Sequence, residues 1–224
     1  MGPHVQIGEV KPGLHRLPLC PFPPVPWWGA AMSGGARLDG LEHYPKRTFR
    51  NRFTLMQSTG TLELSLPVEK RGGRPRSQDE TMRITGEPDR KAWQAVRTAY
   101  GRAPFFEEME EELEALFKNG PGSLGGWNRA TMQWAATWLG ISVPSDVTPA
   151  EYAESTETSM MSLMASAVVF SDVSWSHVWH DRQPHIPFLS LGILDLILHL
   201  GPSAGTAIKP IPLSGSPRPG SRPE

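Results

Sequence analysis

A chain of 224 residues is long enough to close one sizeable core without disulfides or metals, and its single cysteine, Cys20, has no internal partner. A formal net charge of −1 gives no electrostatic reason to expect nucleic acid or an anionic membrane as partner. The sequence shows neither a secretory signal pattern over Met1–Leu19 nor about 20 consecutive apolar residues, which predicts a cytoplasmic, membrane-free protein. The charge is uneven: residues 1–104 carry 16 Lys+Arg against 9 Asp+Glu, and residues 105–224 carry 6 against 14. That asymmetry suits either an anionic ligand held by the first half or two halves that attract each other on folding.

In chain order, residues 1–18 read as a lead-in, and Thr48–Gln57 and Thr61–Val68 as extended runs around Ser58-Thr59-Gly60, a hairpin signal. Glu69–Arg76 reads as an exposed basic loop, and Met82–Thr85 as a third strand. Helices are predicted over Asp89–Tyr100, Phe105–Lys118, Leu124–Leu139 and Leu189–Leu200. In the second of these, Phe106, Met109, Leu113 and Leu116 recur at helical spacing, with six Glu at the other positions. Pro104 separates the first two helices, Gly140 offers a C-terminal stop to the third, and the last is apolar nearly all round. Strands followed by helices predict a single α+β domain over residues 19–205, a small antiparallel sheet covered by a cluster of helices. Residues 206–224, rich in Pro, Ser, Gly and Arg, read as a disordered tail that contributes nothing to the fold.

The segment Tyr44-Pro45-Lys46-Arg47-Thr48-Phe49-Arg50-Asn51-Arg52 resembles the Tyr-x-Lys-x-x-(Tyr/Phe)-Arg-Asn-Arg signature of the WbqC-like family, especially its branch in Bacteroidetes-type bacteria. Other motifs of that family are similar and occur in the same order. They are Phe22-Pro23-Pro24-Val25 followed by Trp27 and Trp28, Leu64-Ser65-Leu66-Pro67-Val68, Ala99-Tyr100 with Ala103-Pro104-Phe105-Phe106, and Ile193-Leu194-Asp195-Leu196 with Gly201-Pro202. The resemblance runs over residues 19–202. It implies a role beside cell-surface polysaccharide genes and suggests acyl or aminoacyl transfer onto an activated amino sugar. The family's Trp and His before Ala-Tyr are replaced here by Pro88 and Ala92, and its Asn in the last helix by His199. Those losses favour the alternative of a non-catalytic ligand-binding or assembly protein with a partly degenerate site.

If the signature is a strand, Lys46, Thr48, Arg50 and Arg52 share one face, and crowded cations there suit a phosphate or carboxylate. The candidate binding residues are therefore Tyr44, Lys46, Arg50, Asn51 and Arg52, for a small anionic ligand such as a nucleotide-activated sugar. The competing reading pairs the arginines with carboxylates from the acidic second half, or leaves them facing water on an edge strand. Asp195 and His199, four apart on an apolar helix, are the candidate catalytic pair, Asp195 orienting His199 as a general base. The alternative makes Asp195 an anchor for Arg50 or Arg52. His177, His180, Asp181 and His185 match no closed zinc pattern, so no metal is expected, and no cofactor is specified.

Overall fold

The computed structural model describes residues 13–44, 48–70, 73, 75–78, 82–85, 88–160, 163, 192–211 and 213. The chain starts with β1 (His15–Pro18), whose alternation buries His15 and Leu17 on one face and turns Arg16 to the other. Two prolines, Pro24 and Pro26, then start α1 (Val25–Ala31), where the missing N–H groups of Pro cost nothing. This helix buries Trp27 and Trp28 completely, and the Trp27 indole N–H donates to the Pro18 carbonyl at 3.0 Å. The chain returns as β2 (Ala36–Asp39), which lies parallel to β1, as a helical crossover permits.

After a 3₁₀ turn at Phe49–Asn51, β3 (Arg52–Gln57) and β4 (Gly60–Ser65) form an antiparallel hairpin. Gly60 sits at φ +123°, a conformation that L side chains rarely adopt, so the two-residue connection depends on it. A second hairpin joins β5 (Val68–Lys70) to β6 (Met82–Ile84). The helices follow as α2 (Pro88–Tyr100), α3 (Phe106–Asn119) and α4 (Leu124–Leu139). Ser123 caps the start of α4, and Gly140 closes it at φ +63°. The short α5 (Pro149–Glu154), with a Thr148/Glu151 capping box, leads into β7 (Thr156–Glu157), which adds to β1 in parallel. Helix α6 (Ile193–Leu200) and a 3₁₀ segment at Gly201–Ala207 finish the core.

The α+β class is as expected from the sequence, and the chain folds around one continuous core. The sheet is different in kind. Instead of one antiparallel sheet, the described residues form a three-stranded parallel sheet in the order β2-β1-β7 and two separate hairpins. Four-residue strands flanking a seven-residue helix carry too little periodicity to be read in advance. Phe22 lies at the centre of the core, its ring 5.2 Å from Phe53, 5.9 Å from Phe117 and 5.7 Å from Trp127. Its φ of +38° is strained for a non-glycine residue, and its N–H is held by the Thr131 hydroxyl at 3.2 Å.

The tail begins later than composition implies. Ile208 and Ile211 are buried, the Ile211 N–H donates to the Gly29 carbonyl at 2.8 Å, and the Ser33 hydroxyl donates to the Ile211 carbonyl. Leu213 also packs against the core, while residues 214–224 lie outside the described set. Two isoleucines in a polar stretch suffice to dock it on α1, which average composition conceals. Ile211→Ala is therefore expected to lower unfolding stability by about 2–3 kcal/mol, within the range for buried Ile truncations, as read from the urea midpoint.

Candidate functional site

The parallel strands end together. Pro18 and Asp39, the last residues of β1 and β2, are partners in register, and Glu157, the last residue of β7, is the register partner of Arg16. One face of this small sheet carries His15, Leu17, Ala36 and Leu38; the other presents Arg16, Arg37, Asp39 and Glu157. A cavity of about 210 Å³ opens over the charged face, and its walls include Arg16, Asp39, Glu42, Phe49, Arg50 and Glu157. Ligands of open α/β sheets settle at the carboxyl ends of parallel strands, and this cavity lies in that position.

Two ion pairs form its walls. Arg16 donates from Nη1 to Asp39 Oδ2 at 3.0 Å, with its guanidinium 3.8 Å from the centre of the Tyr152 ring. Arg50 donates from Nε and Nη2 to the two oxygens of Glu42, a bidentate fork. The pairs are joined, because Asp39 Oδ1 accepts from the Glu42 N–H at 3.0 Å, and Ser77 adds a hydroxyl donor to Glu42 at 3.2 Å. Burial pushes the Asp39 carboxyl above its ordinary range, against the pull of Arg16. Burial likewise raises Glu42 against the pull of Arg50. The Cys20 thiol is buried beside this group, and desolvation raises it so far that no thiolate forms near neutral pH.

Each predicted binding residue has a definite place, except that Lys46 lies outside the described residues. The shared strand face does not form. Phe49–Asn51 is a 3₁₀ turn capped by Thr48, so alternation fails there. Arg50 turns inward to Glu42, while Arg52 starts β3 and pairs with Glu63 across the hairpin at 2.6 Å. Both carboxylates come from the first half of the chain, not from the acidic second half. Asn51 fastens the turn, its amide donating to the Leu66 carbonyl at 2.7 Å while the Leu66 N–H returns a bond at 2.8 Å. The Tyr44 hydroxyl is half-buried; burial raises it, and the charges of Arg50 and Arg52 oppose the rise.

Asp195 and His199 form a second network instead of joining the first. The Tyr100 hydroxyl donates to Asp195 Oδ2 at 2.9 Å and accepts from the Met56 N–H at 3.1 Å. His199 Nδ1 lies 2.7 Å from the Asp195 carbonyl and 3.7 Å from its carboxylate, and all three side chains are buried. Met56 is near the far end of β3 from Arg50. At about 3.3 Å per strand residue, the four steps from Arg52 to Met56 span roughly 13 Å. The Asp195 carboxylate is thus held by the Tyr100 hydroxyl, while Arg50 is held by Glu42 and Arg52 by Glu63. Burial and the Asp195 charge raise the Tyr100 hydroxyl well above its ordinary value, so it stays a neutral donor.

Sequence reasoning missed Arg16, Asp39, Glu42, Asn128 and Glu157. Asn128 sits on the buried face of α4 and donates from Nδ2 to the carbonyls of Leu19 (3.2 Å) and Arg50 (2.8 Å), tying β1 and the signature turn to the helix. A usable signal existed: Asp39 and Glu42 stand three residues apart at and just after a short strand, and an Asn between Trp127 and Thr131 is out of place on an apolar helix face. The His177–His185 stretch lies outside the described residues. No helix of the described residues is long and apolar enough to cross a membrane.

The fold and the site together define a small α+β protein with a charged cavity at the ends of parallel strands. The model of the WbqC-like protein family matches residues 38–172, a span that includes Asp39, Glu42, the signature turn, Asn128 and Glu157, and the chain belongs to that family. No curated protein and no solved structure matches it.

Glu42→Gln should destabilise the fold by about 3–5 kcal/mol, since it leaves the Arg50 guanidinium buried without its carboxylate. Arg52→Met, which opens only a solvent-screened pair, should cost less than about 1 kcal/mol in the same denaturant titration. The Tyr100 hydroxyl has the opposite dependence from a salt-bridged acid. Its folded value is raised, so its contribution is complete below about pH 10, where the unfolded tyrosine ionises, and is lost as pH rises beyond that. Wild-type stability should therefore fall more steeply above pH 10 than that of Tyr100→Phe, as measured by urea unfolding across that range.

Proposed function

We propose that the protein is a cytoplasmic transferase of cell-surface polysaccharide biosynthesis, moving an acyl or aminoacyl group onto the amine of an activated amino sugar in the cavity beside Arg16, Asp39, Glu42 and Arg50. The observation that carries this reading is the pair of buried, arginine-held carboxylates on the wall of a small cavity at the carboxyl ends of parallel strands. Acyl transfer to an amine needs a proton acceptor of raised basicity and a cation for the developing oxyanion. The amine nitrogen attacks the acyl carbonyl carbon, the C–N bond forms, and the bond to the donor's leaving group breaks. The amine proton passes to the Asp39 or Glu42 carboxylate, and Arg16 stabilises the oxyanion. The buried, protonated Cys20 favours direct transfer over a covalent thioester intermediate.

Size divides the ligand. A cavity of about 210 Å³ is smaller than the roughly 300–1,000 Å³ that encloses a drug-sized molecule. In this reading it takes the reacting unit, and the nucleotide lies outside it, towards Tyr44 and Arg52. Asn51, Asp195 and His199 act as positioning residues that set the signature turn and the α2–α6 pair.

A second reading, a ligand-binding or assembly protein without turnover, is favoured by one fact: Arg50 and Glu42 already satisfy each other. Incubation with a uridine-diphosphate amino sugar and either acetyl-coenzyme A or an aminoacyl thioester separates the two. The transferase reading expects a product heavier by one acyl or aminoacyl group in the mass spectrum. A thermal shift with the amino sugar but no such product selects the binding protein, and neither effect rejects both.

A further inference from the structure

The charges around the cavity are unevenly paired. Arg16 is matched to Asp39 and Arg50 to Glu42, which leaves Glu157 on the wall with no ion pair among the described residues. It stands beside Arg16 in register on the neighbouring strand, with backbones about 4.8 Å apart, yet Arg16 turns away to Asp39 and Tyr152. Arg16 is itself under-used. Of the five N–H donors of a guanidinium, its side chain commits one, from Nη1 to Asp39, and its Nε is enclosed without a partner. A carboxylate lacking a cation and a guanidinium lacking acceptors therefore border one small space, alongside the apolar Pro18, Phe49 and Met160.

From this pairing we infer that the cavity binds a small zwitterionic unit of the α-amino-acid pattern, its ammonium on Glu157 and its carboxylate or carbonyl oxygen on Arg16. A phosphate would meet three carboxylates on the wall, and a simple amine would leave Arg16 unanswered. Only a ligand bearing both groups a few ångströms apart answers both vacancies, and the small volume restricts it to short side chains. The inference rests on the cavity being the transfer site and narrows the transferred group to an aminoacyl unit rather than a simple acyl.

The test is isothermal titration and thermal shift on the full chain with glycine and L-alanine, against N-acetylglycine, which lacks the ammonium, and ethylamine, which lacks the carboxylate. Glycine and alanine should bind and raise the melting temperature, with the two truncated probes at least tenfold weaker. Glu157→Gln should weaken glycine at least tenfold while keeping the unliganded melting temperature, because Glu157 is exposed. N-acetylglycine binding as well as glycine, or full glycine binding by the variant, would overturn the inference. If the uridine-diphosphate amino sugar is acylated by the wild type while glycine and alanine stay silent, the inference falls and the transferase stands. Glycine binding lost in Glu157→Gln, with no acylation of the sugar, upholds the inference without the transferase. Silence in both assays removes both.

Discussion

The Arg50–Glu42 pair is the constraint around which the first half of the chain is arranged. Taking a guanidinium and a carboxylate out of water costs several kcal/mol each, and the cost is met only where the geometry is bidentate and the remaining polar atoms have partners. Here those conditions recruit distant segments. Ser77, beyond the β5 strand, supplies a donor to Glu42; Asp39 holds the Glu42 backbone; and Asn128 of α4 takes the Arg50 carbonyl. Once Arg50 must point inward, the signature cannot run as a regular strand. The 3₁₀ turn at Phe49–Asn51 is the local form that allows Arg50 to be buried while Arg52 begins the exposed hairpin.

A second lock fixes the helices. The Ala99-Tyr100 and Ile193-Leu194-Asp195 motifs, nearly a hundred residues apart in sequence, meet through the Tyr100–Asp195 bond. The contact continues at the ends of the motifs, where the Phe105 N–H donates to the Leu198 carbonyl at 3.1 Å. At Gly201, where φ is +52°, any Cβ would run into the Phe105 ring. Asp195 is the third residue of α6, in its first turn. These motifs hold the core together.

What the sequence revealed depended on the length scale of each signal. Helices of a dozen residues or more declare themselves by periodicity, and α4 ends where Gly140 says it should. The β3–β4 hairpin was readable from its Gly-ended turn. The parallel sheet was not, because β1, β2 and β7 are two to four residues long and their pairing is decided by tertiary contact. For the site, type and spacing drew attention to Arg50 and Arg52 but not to their partners. A charge pair is a statement about two positions, and the carboxylate that captured Arg50 lies eight residues upstream, two residues before the signature begins.

The same shortness of β1, β2 and β7 is what creates the cavity. A longer parallel sheet would continue under its covering helices and bury its carboxyl edge among apolar side chains. Here the strands stop after a few residues with charged groups at or near their ends, and the face carrying Leu17 and Leu38 is alone enough to anchor them. The charged face is left to be covered by polar connections, so its charges have to be satisfied by one another. Where they match, as at Arg50 and Glu42, the wall is closed by a two-point ion pair; where they do not, as between Arg16 and Glu157, donors and a carboxylate are left over beside the cavity. Paired and unpaired charge thus arise from one feature, and the burial that comes with it is what raises the Asp39 and Glu42 carboxyls.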